Sequence, residues 1–386
     1  MPEPIYLDHA ATTPVRPEVL EAMLPFFGPR FGNPSSLHRW GREARTALDE
    51  ARERLAATIG AHADELCFTS CGTEADNMAL IGVWRSRRES DGRNAAVTTP
   101  IEHKAVLGAV HEVAHEGGEE RLLRVSSCGV VDDASFDELV NESAAVCSVM
   151  WVNNEIGVMQ DVPALAQRAH ARGVTFHTDA VQAFGKVDID ARRTPFDLLS
   201  LSGHKIGAPK GIGALFIRRG TPVSPLMFGG SQDRGRRPGT ENVAMAVGLA
   251  RAAELTVAER EEECRRLNAL RERLEAALLE RIPDAVIHGR GAPRAPHVTS
   301  ISVPGTDSES LLMALDLRGV ACSAGSACQS GSITPSHVLS ALGVPANVAG
   351  AAIRMSLGPL TTDEGVARVA ELFPALVEKA RRLATA

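Results

Sequence analysis

The sequence predicts an α/β protein: a mostly parallel, doubly wound sheet followed by a second, smaller α/β unit. Three observations lead there. Between about residues 55 and 220, short apolar runs alternate with stretches of helical periodicity. Those runs are continuously apolar rather than alternating, as strands covered on both faces require. Beyond about residue 240 the pattern changes to one long amphipathic helix and then a further, shorter set of strands and helices.

In chain order, the candidate strands of the first region are 65–69, 95–98, 145–152, 174–178, 198–201 and 213–217. Helical stretches between them include 73–86, 104–116 and 163–172. Over 241–282, Leu267, Leu270, Leu274 and Leu278 recur at spacings of three and four among Glu and Arg, which makes one apolar stripe and a charged outer face. The stripe spans too few heptads for a coiled coil, so this helix is expected to join two domains. Past Pro283 come strands at 285–288 and 297–303, a helix at 308–317, the stretch 320–343 and a closing helix at 362–384. The expected division is a large domain, 16–258, and a small domain built from 1–15 and 259–386.

Composition excludes several classes. The 386 residues are 44% hydrophobic and 23% charged, a globular balance. A net charge of −7 and 4% aromatics argue against direct nucleic-acid binding. No run approaches the ~18 apolar residues of a membrane span. The first residues lack the basic and apolar regions of a signal peptide, so a cytoplasmic location is expected. Seven scattered cysteines with no C-x-x-C pair read as reduced thiols rather than zinc ligands or a disulfide framework.

The chemistry-bearing residues follow the candidate strands, where α/β sheets bind ligands. Ser202-Gly203-His204-Lys205 follows 198–201. A lysine amine there can form a Schiff base with a carbonyl compound such as pyridoxal phosphate (PLP), or be a plain lysine in a Gly-rich turn. Asp179, after strand 174–178, can hold a pyridinium nitrogen protonated or cap a helix. Gln182 follows within reach of the ring hydroxyl. Thr69-Ser70-Cys71-Gly72-Thr73-Glu74 leaves a strand and opens a helix, which suits an anion or a capping box. His103, after strand 95–98, can stack on a planar ring and exchange protons, or be a surface or core filler. Arg354 offers a fork matched to a carboxylate, or is an ordinary surface arginine. The segment 323–332 has no large apolar side chain, so a mobile loop is expected there, and it carries the thiol of Cys328.

As an ordered set these stretches resemble the fold type I PLP enzymes of the class V aminotransferase group, and more closely the cysteine desulfurases of the NifS/IscS kind. The resemblance rests on Tyr6-Leu7-Asp8-His9-Ala10-Ala11-Thr12-Thr13, Gly32-Asn33-Pro34-Ser35-Ser36, Thr73-Glu74-Ala75-Asp76-Asn77, Glu102-His103-Lys104, Val152-Asn153-Asn154-Glu155-Ile156-Gly157, His177-Thr178-Asp179-Ala180-Val181-Gln182 and Ser202-Gly203-His204-Lys205. Arg237-Pro238-Gly239-Thr240-Glu241-Asn242 and Gly325-Ser326-Ala327-Cys328 complete it. Cys71 stands where the family often has Gly, and Pro238 where Ser is common.

What the resemblance implies is specific. The fold is the PLP-dependent transferase fold type I, with a mostly parallel seven-stranded sheet in the large domain and a smaller α/β C-terminal domain. PLP is the cofactor and Lys205 binds it covalently. Asp179 pairs with the ring nitrogen, Gln182 with the ring oxygen, and His103 stacks on the ring and carries protons. Gly72, Thr73, Ser202 and His204 hold the phosphate, Asn154 lies beside ring and substrate, and Thr240 serves the neighbouring subunit of a homodimer. Arg354, Asn33 and Asn154 bind the substrate, L-cysteine. Cys328, on a loop of about 322–335, takes the sulfur as a persulfide and leaves L-alanine. Cys322 is either a small residue at a strand end or a resolving thiol. The sulfur then goes to an acceptor such as an iron–sulfur scaffold, or into thiolation of tRNA or DNA. A transient [2Fe–2S] cluster sharing Cys328 with a scaffold is also implied, since one cysteine is too few to hold it alone. A selenocysteine lyase or a class V aminotransferase is the alternative.

Overall fold

In the computed structural model, which describes residues 3–324 and 335–384, the apolar runs become one main sheet. The strands in chain order are β1 (Ile5–Tyr6), β2 (Leu66–Thr69), β3 (Ala95–Thr98), β4 (Glu119–Leu122), β5 (Ala144–Ser148), β6 (Thr175–Asp179), β7 (Leu198–Ser202), β8 (Gly213–Ile217), β9 (Val286–Ile287), β10 (Val298–Ser302), β11 (Val320–Ala321) and β12 (Ala352–Ser356). Seven of them form the main sheet in the order β2-β8-β7-β6-β5-β3-β4. β4 to β7 and β3 pair in parallel, while β8 runs antiparallel to both β7 and β2. Two reversals leave β2 pointing the same way as β7. The carboxyl ends of β2, β3, β5, β6 and β7 therefore share one edge.

Two elements depart from the apolar pattern. β4 reads Glu-Glu-Arg-Leu and is the edge strand, so it needs no apolar run and its charges protect the edge. The run 145–152 leaves the ladder after Ser148, whose carbonyl accepts from Thr98 Oγ1 at 3.0 Å. Val149 to Val152 stay buried as irregular chain, so apolarity there signals burial and not strand.

One face of the sheet is covered by the helices Gly72–Asp91 and Lys104–His115, through Met78, Leu80, Trp84, Val106 and Val110. The other packs on Arg39–Thr58 and the first half of Val243–Arg281, through Leu48, Leu55, Phe176, Phe216 and Leu249. Arg39–Thr58 was not anticipated. Its start is capped by His38, an uncommon cap residue, with the ring accepting from Gly41 N at 3.3 Å.

A separate core gathers the leucine stripe Leu267, Leu270, Leu274 and Leu278 with Leu7, Ile301, Ile353 and Phe373. It lies beside the antiparallel sheet β12-β10-β9, and β1 pairs in parallel with β11. Leu274 is fully buried there. Leu274→Ala is expected to lower unfolding free energy by about 2–5 kcal/mol, through lost burial and an unfilled cavity. Denaturant titration measures it; a loss under about 0.5 kcal/mol would mean that this core relaxes around the gap.

Candidate active site

The shared strand edge opens on a cavity of ≈ 430 Å³ whose wall includes Gly72, Thr73, His103, Asn154, Asp179, Gln182, Ser202, His204, Lys205 and Arg354. The expected residues thus converge, with two exceptions. Asn33 is exposed and its Oδ1 accepts from Ser35 N at 2.9 Å, capping its own turn. Thr240 lines a separate cavity of ≈ 250 Å³ with Ser70 and Gly211. Cys328 lies outside the described residues.

Lys205 ends the 3-10 turn Gly203–Lys205 that leaves β7. Its Nζ donates to Ala10 O at 2.6 Å and Ala11 O at 2.7 Å. Burial, reinforced by the Arg354 guanidinium, brings its amine down to about 8. At pH 7 about a tenth of the amine is therefore uncharged, far more than for an ordinary lysine, and the uncharged form is the nucleophile.

Asp179 ends β6, the neighbouring strand. Its Oδ1 accepts from Val181 N at 2.8 Å, and it has no ion pair among the described residues. Burial pushes its carboxyl up, with His103 and Lys205 opposing. Asp76, in the same wall, is pushed well above the carboxylate range by burial and then by Asp179. Burial brings Glu102 up to about 8. Its Oε1 accepts from Thr99 Oγ1 at 2.9 Å and Met150 N at 2.8 Å. His177, held between Ser148 Oγ at 2.8 Å and Ser200 Oγ at 2.9 Å, is kept neutral by burial. Asp179 is thus the carboxyl best placed to ionise when a cation arrives.

That is the test of fit for PLP. The cavity holds a buried carboxyl without a countercharge, and a protonated pyridine nitrogen supplies one. At Gly72 an added Cβ would meet Val181 Cγ2 at 3.0 Å and Ser202 Cβ at 3.5 Å, so the loop is closed down to backbone. The helix begun at Gly72 has no side-chain cap from Cys71, and its first-turn N–H groups are free for a phosphate. Burial lowers His204 to about 4, so its neutral ring, 3.2 Å from Thr12 Oγ1, is available for hydrogen bonding. His103 caps its helix by accepting from Ala105 N at Nδ1, 3.2 Å, which leaves Nε2 as the free ring nitrogen.

The pattern missed several partners. Arg354 Nη2 meets Asp8 Oδ1 at 3.0 Å and Nη1 donates to Asn154 O at 3.0 Å. Asp8 therefore already occupies part of the fork expected to take a carboxylate. His337, also in the wall, pairs through Nε2 with Glu102 O at 2.9 Å. Cys71 lines the cavity as well. Burial raises the Cys322 thiol to about 12, which makes it a poor resolving nucleophile at neutral pH.

The chain is similar to known proteins over nearly its whole length. The family described as Aminotransferase class-V matches residues 5–369. The cysteine desulfurase NifS of Azotobacter vinelandii is 43% identical over 380 residues, 98% of this chain and 94% of its own. The cysteine desulfurase IscS of Dictyoglomus turgidum is 43% identical over 383 residues, covering 99% and 97%. Among solved structures, a NifS-like protein superposes with a TM-score of 0.90 at 35% identity, over 97% of this chain and 100% of its own. DndA from Streptomyces lividans superposes at 0.77 with 40% identity, over 91% and 99%.

Proposed function

The chain belongs to the class V aminotransferase family and has the cysteine desulfurase activity of its NifS and IscS relatives, and on that premise we propose how its own residues divide the work. The observation that carries the proposal is the single cavity in which Lys205, Asp179, His103 and Arg354 meet. PLP, the family's cofactor, supplies an electron sink for the substrate's Cα when bound.

The N–H groups of Gly72 and Thr73, with Ser202 and His204, hold its phosphate. Asp179 would hold its ring nitrogen, Gln182 its ring hydroxyl, and His103 would stack on the ring. Arg354 exchanges Asp8 for the substrate carboxylate, beside Asn154, and the exposed Asn33 comes to the substrate from outside the cavity wall. Lys205 holds the cofactor covalently, then takes the Cα proton once released. The Cys328 thiolate attacks the substrate sulfur: an S–S bond forms, the Cβ–S bond breaks, and its electron pair stays with the carbon fragment. Protonation of that fragment at Cβ, with His103 as carrier, and return of the Cα proton from Lys205 give L-alanine. Cys328 keeps the sulfur as a persulfide for an acceptor such as an iron–sulfur scaffold, or for thiolation of tRNA or DNA. A [2Fe–2S] cluster shared through Cys328 belongs to that same transfer.

We place this chemistry in a cytoplasmic homodimer in which Thr240 serves the partner's cofactor. No helix among the described residues is long and apolar enough to cross a membrane. The two cores support a division into a large domain, 16–258, and a small one, 1–15 with 259–386.

Asp179→Asn is the test. An amide cannot balance a pyridinium charge, so the variant is expected to retain PLP while losing roughly 100–1000-fold in turnover, the scale of losing one electrostatic stabiliser. Alanine release from L-cysteine measures it. Near-normal release would mean that another group keeps the ring protonated.

A further inference from the structure

We infer that His297 is a positioning residue, fixing the Gln182 side-chain amide so that its NH2 group faces the ring hydroxyl of the cofactor. The inference rests on the PLP site proposed above.

Gln182 is buried, and its two amide ends meet different partners. Nε2 lies 2.9 Å from Ala10 O, and Oε1 lies 3.1 Å from His297 Nε2. A backbone carbonyl only accepts, so the end facing Ala10 must be the NH2 group. Oε1 then faces His297 and also only accepts, so His297 Nε2 must carry a hydrogen. The opposite assignment would set two oxygens against each other at Ala10. One hydrogen of the NH2 group is taken by Ala10 O, and the second is left for the cavity, where Gln182 forms part of the wall.

The neighbourhood makes this arrangement depend on His297. Behind Gln182 and Lys205 is a second cavity of ≈ 420 Å³, with His9, His297 and Lys186 in its wall. Gln182 lines both cavities, so the hydrogen bonds at Ala10 and His297 are what set which end of the amide faces which way. The rest of the lock is anchored. Ala10 N donates to Ser356 Oγ at 2.9 Å, and His297 O accepts from Leu357 N at 2.8 Å. The imidazole is 4% exposed, and its Nδ1 has no partner among the described residues. Burial, with Lys186, His9 and Arg354 nearby, holds the ring neutral. A neutral ring has one N–H, and here it is spent on Gln182.

The test is a double-mutant cycle on cofactor binding. Protein stripped of PLP is titrated with PLP, following protein fluorescence and the absorbance of the bound cofactor. Q182A removes the amide, H297F keeps a ring without a donor, and H297N keeps an N–H donor. H297F is expected to raise the Kd for PLP about tenfold, as one misdirected hydrogen bond would. It should also shift the bound-cofactor spectrum in the same direction as Q182A. In the Q182A background, H297F should add less than about twofold, because residues acting in one network are not additive. H297N should lie closer to wild type than H297F. Independent, multiplying effects of H297F and Q182A would overturn the inference, as would a wild-type Kd and spectrum in H297F. If H297F does not fold, H297N alone and in the Q182A background is read by the same rule: a loss that persists without Gln182 overturns it. A wild-type Kd and spectrum in Q182A would instead remove Gln182 from the ring hydroxyl, and the site reading would fail first.

Discussion

Lys205→Ala is expected to give a folded protein that binds PLP only reversibly and releases no measurable alanine from L-cysteine. The side chain leaves a 3-10 turn at the end of β7 and is not part of the apolar core. Its removal takes one donor from Ala10 O, which keeps Gln182 Nε2, and one from Ala11 O; both carbonyls are in the cavity wall, where water can replace the amine. The fold should therefore survive while the covalent step and the Cα proton acceptor vanish together. Borohydride reduction of PLP-loaded protein, followed by peptide mapping, should fix the cofactor on Lys205 in the wild type and nowhere in the variant. A reducible linkage that persists in Lys205→Ala would place the attachment elsewhere. The depressed amine adds a pH signature. The uncharged form grows as pH rises through about 8, so the rate of covalent loading in the wild type should climb over about pH 7 to 9 and then level. An ordinary exposed lysine would still be climbing near pH 10.

Much of this site was legible because it depends on residues immediately after strands. Lys205, His103 and Gly72 follow β7, β3 and β2 closely and Asp179 ends β6, and the sheet gathers such positions at one edge. What stayed hidden lies in contacts that join distant parts of the chain. Asp8 and Arg354, or Gln182 and His297, meet only after folding, and no local periodicity announces them. The neutral state of Glu102 and His177 was equally invisible, since it follows from full burial and not from residue type. β4 escaped because an edge strand carries charges where a central one carries valines. His103 was read for its free imidazole; that the same ring also caps its helix needed the geometry of Ala105.

Cys328→Ser is expected to bind PLP and L-cysteine like the wild type and to release no alanine from cysteine. Lys205, Asp179 and Arg354 remain, so cofactor loading and substrate anchoring are intact. A serine oxygen does not take up sulfur as a persulfide, so the Cβ–S bond has no acceptor and the substrate stays whole. Wild-type protein given cysteine without reductant should gain about 32 Da, one sulfur atom, on the peptide carrying Cys328. Three of the other thiols are poorly suited to that role. Burial raises Cys67 and Cys147 far above the range where a thiolate forms, and holds Cys322 at about 12. Cys71 is the real competitor, because it lines the cavity that holds Lys205. It also directly precedes Gly72 and Thr73, the residues proposed to hold the cofactor phosphate. Cys71→Ser should therefore keep at least about half of wild-type turnover, and Cys328→Ser almost none. If the extra sulfur maps to Cys71 or Cys322, or if Cys328→Ser turns over cysteine at the wild-type rate, sulfur does not pass through Cys328 and another thiol is its acceptor.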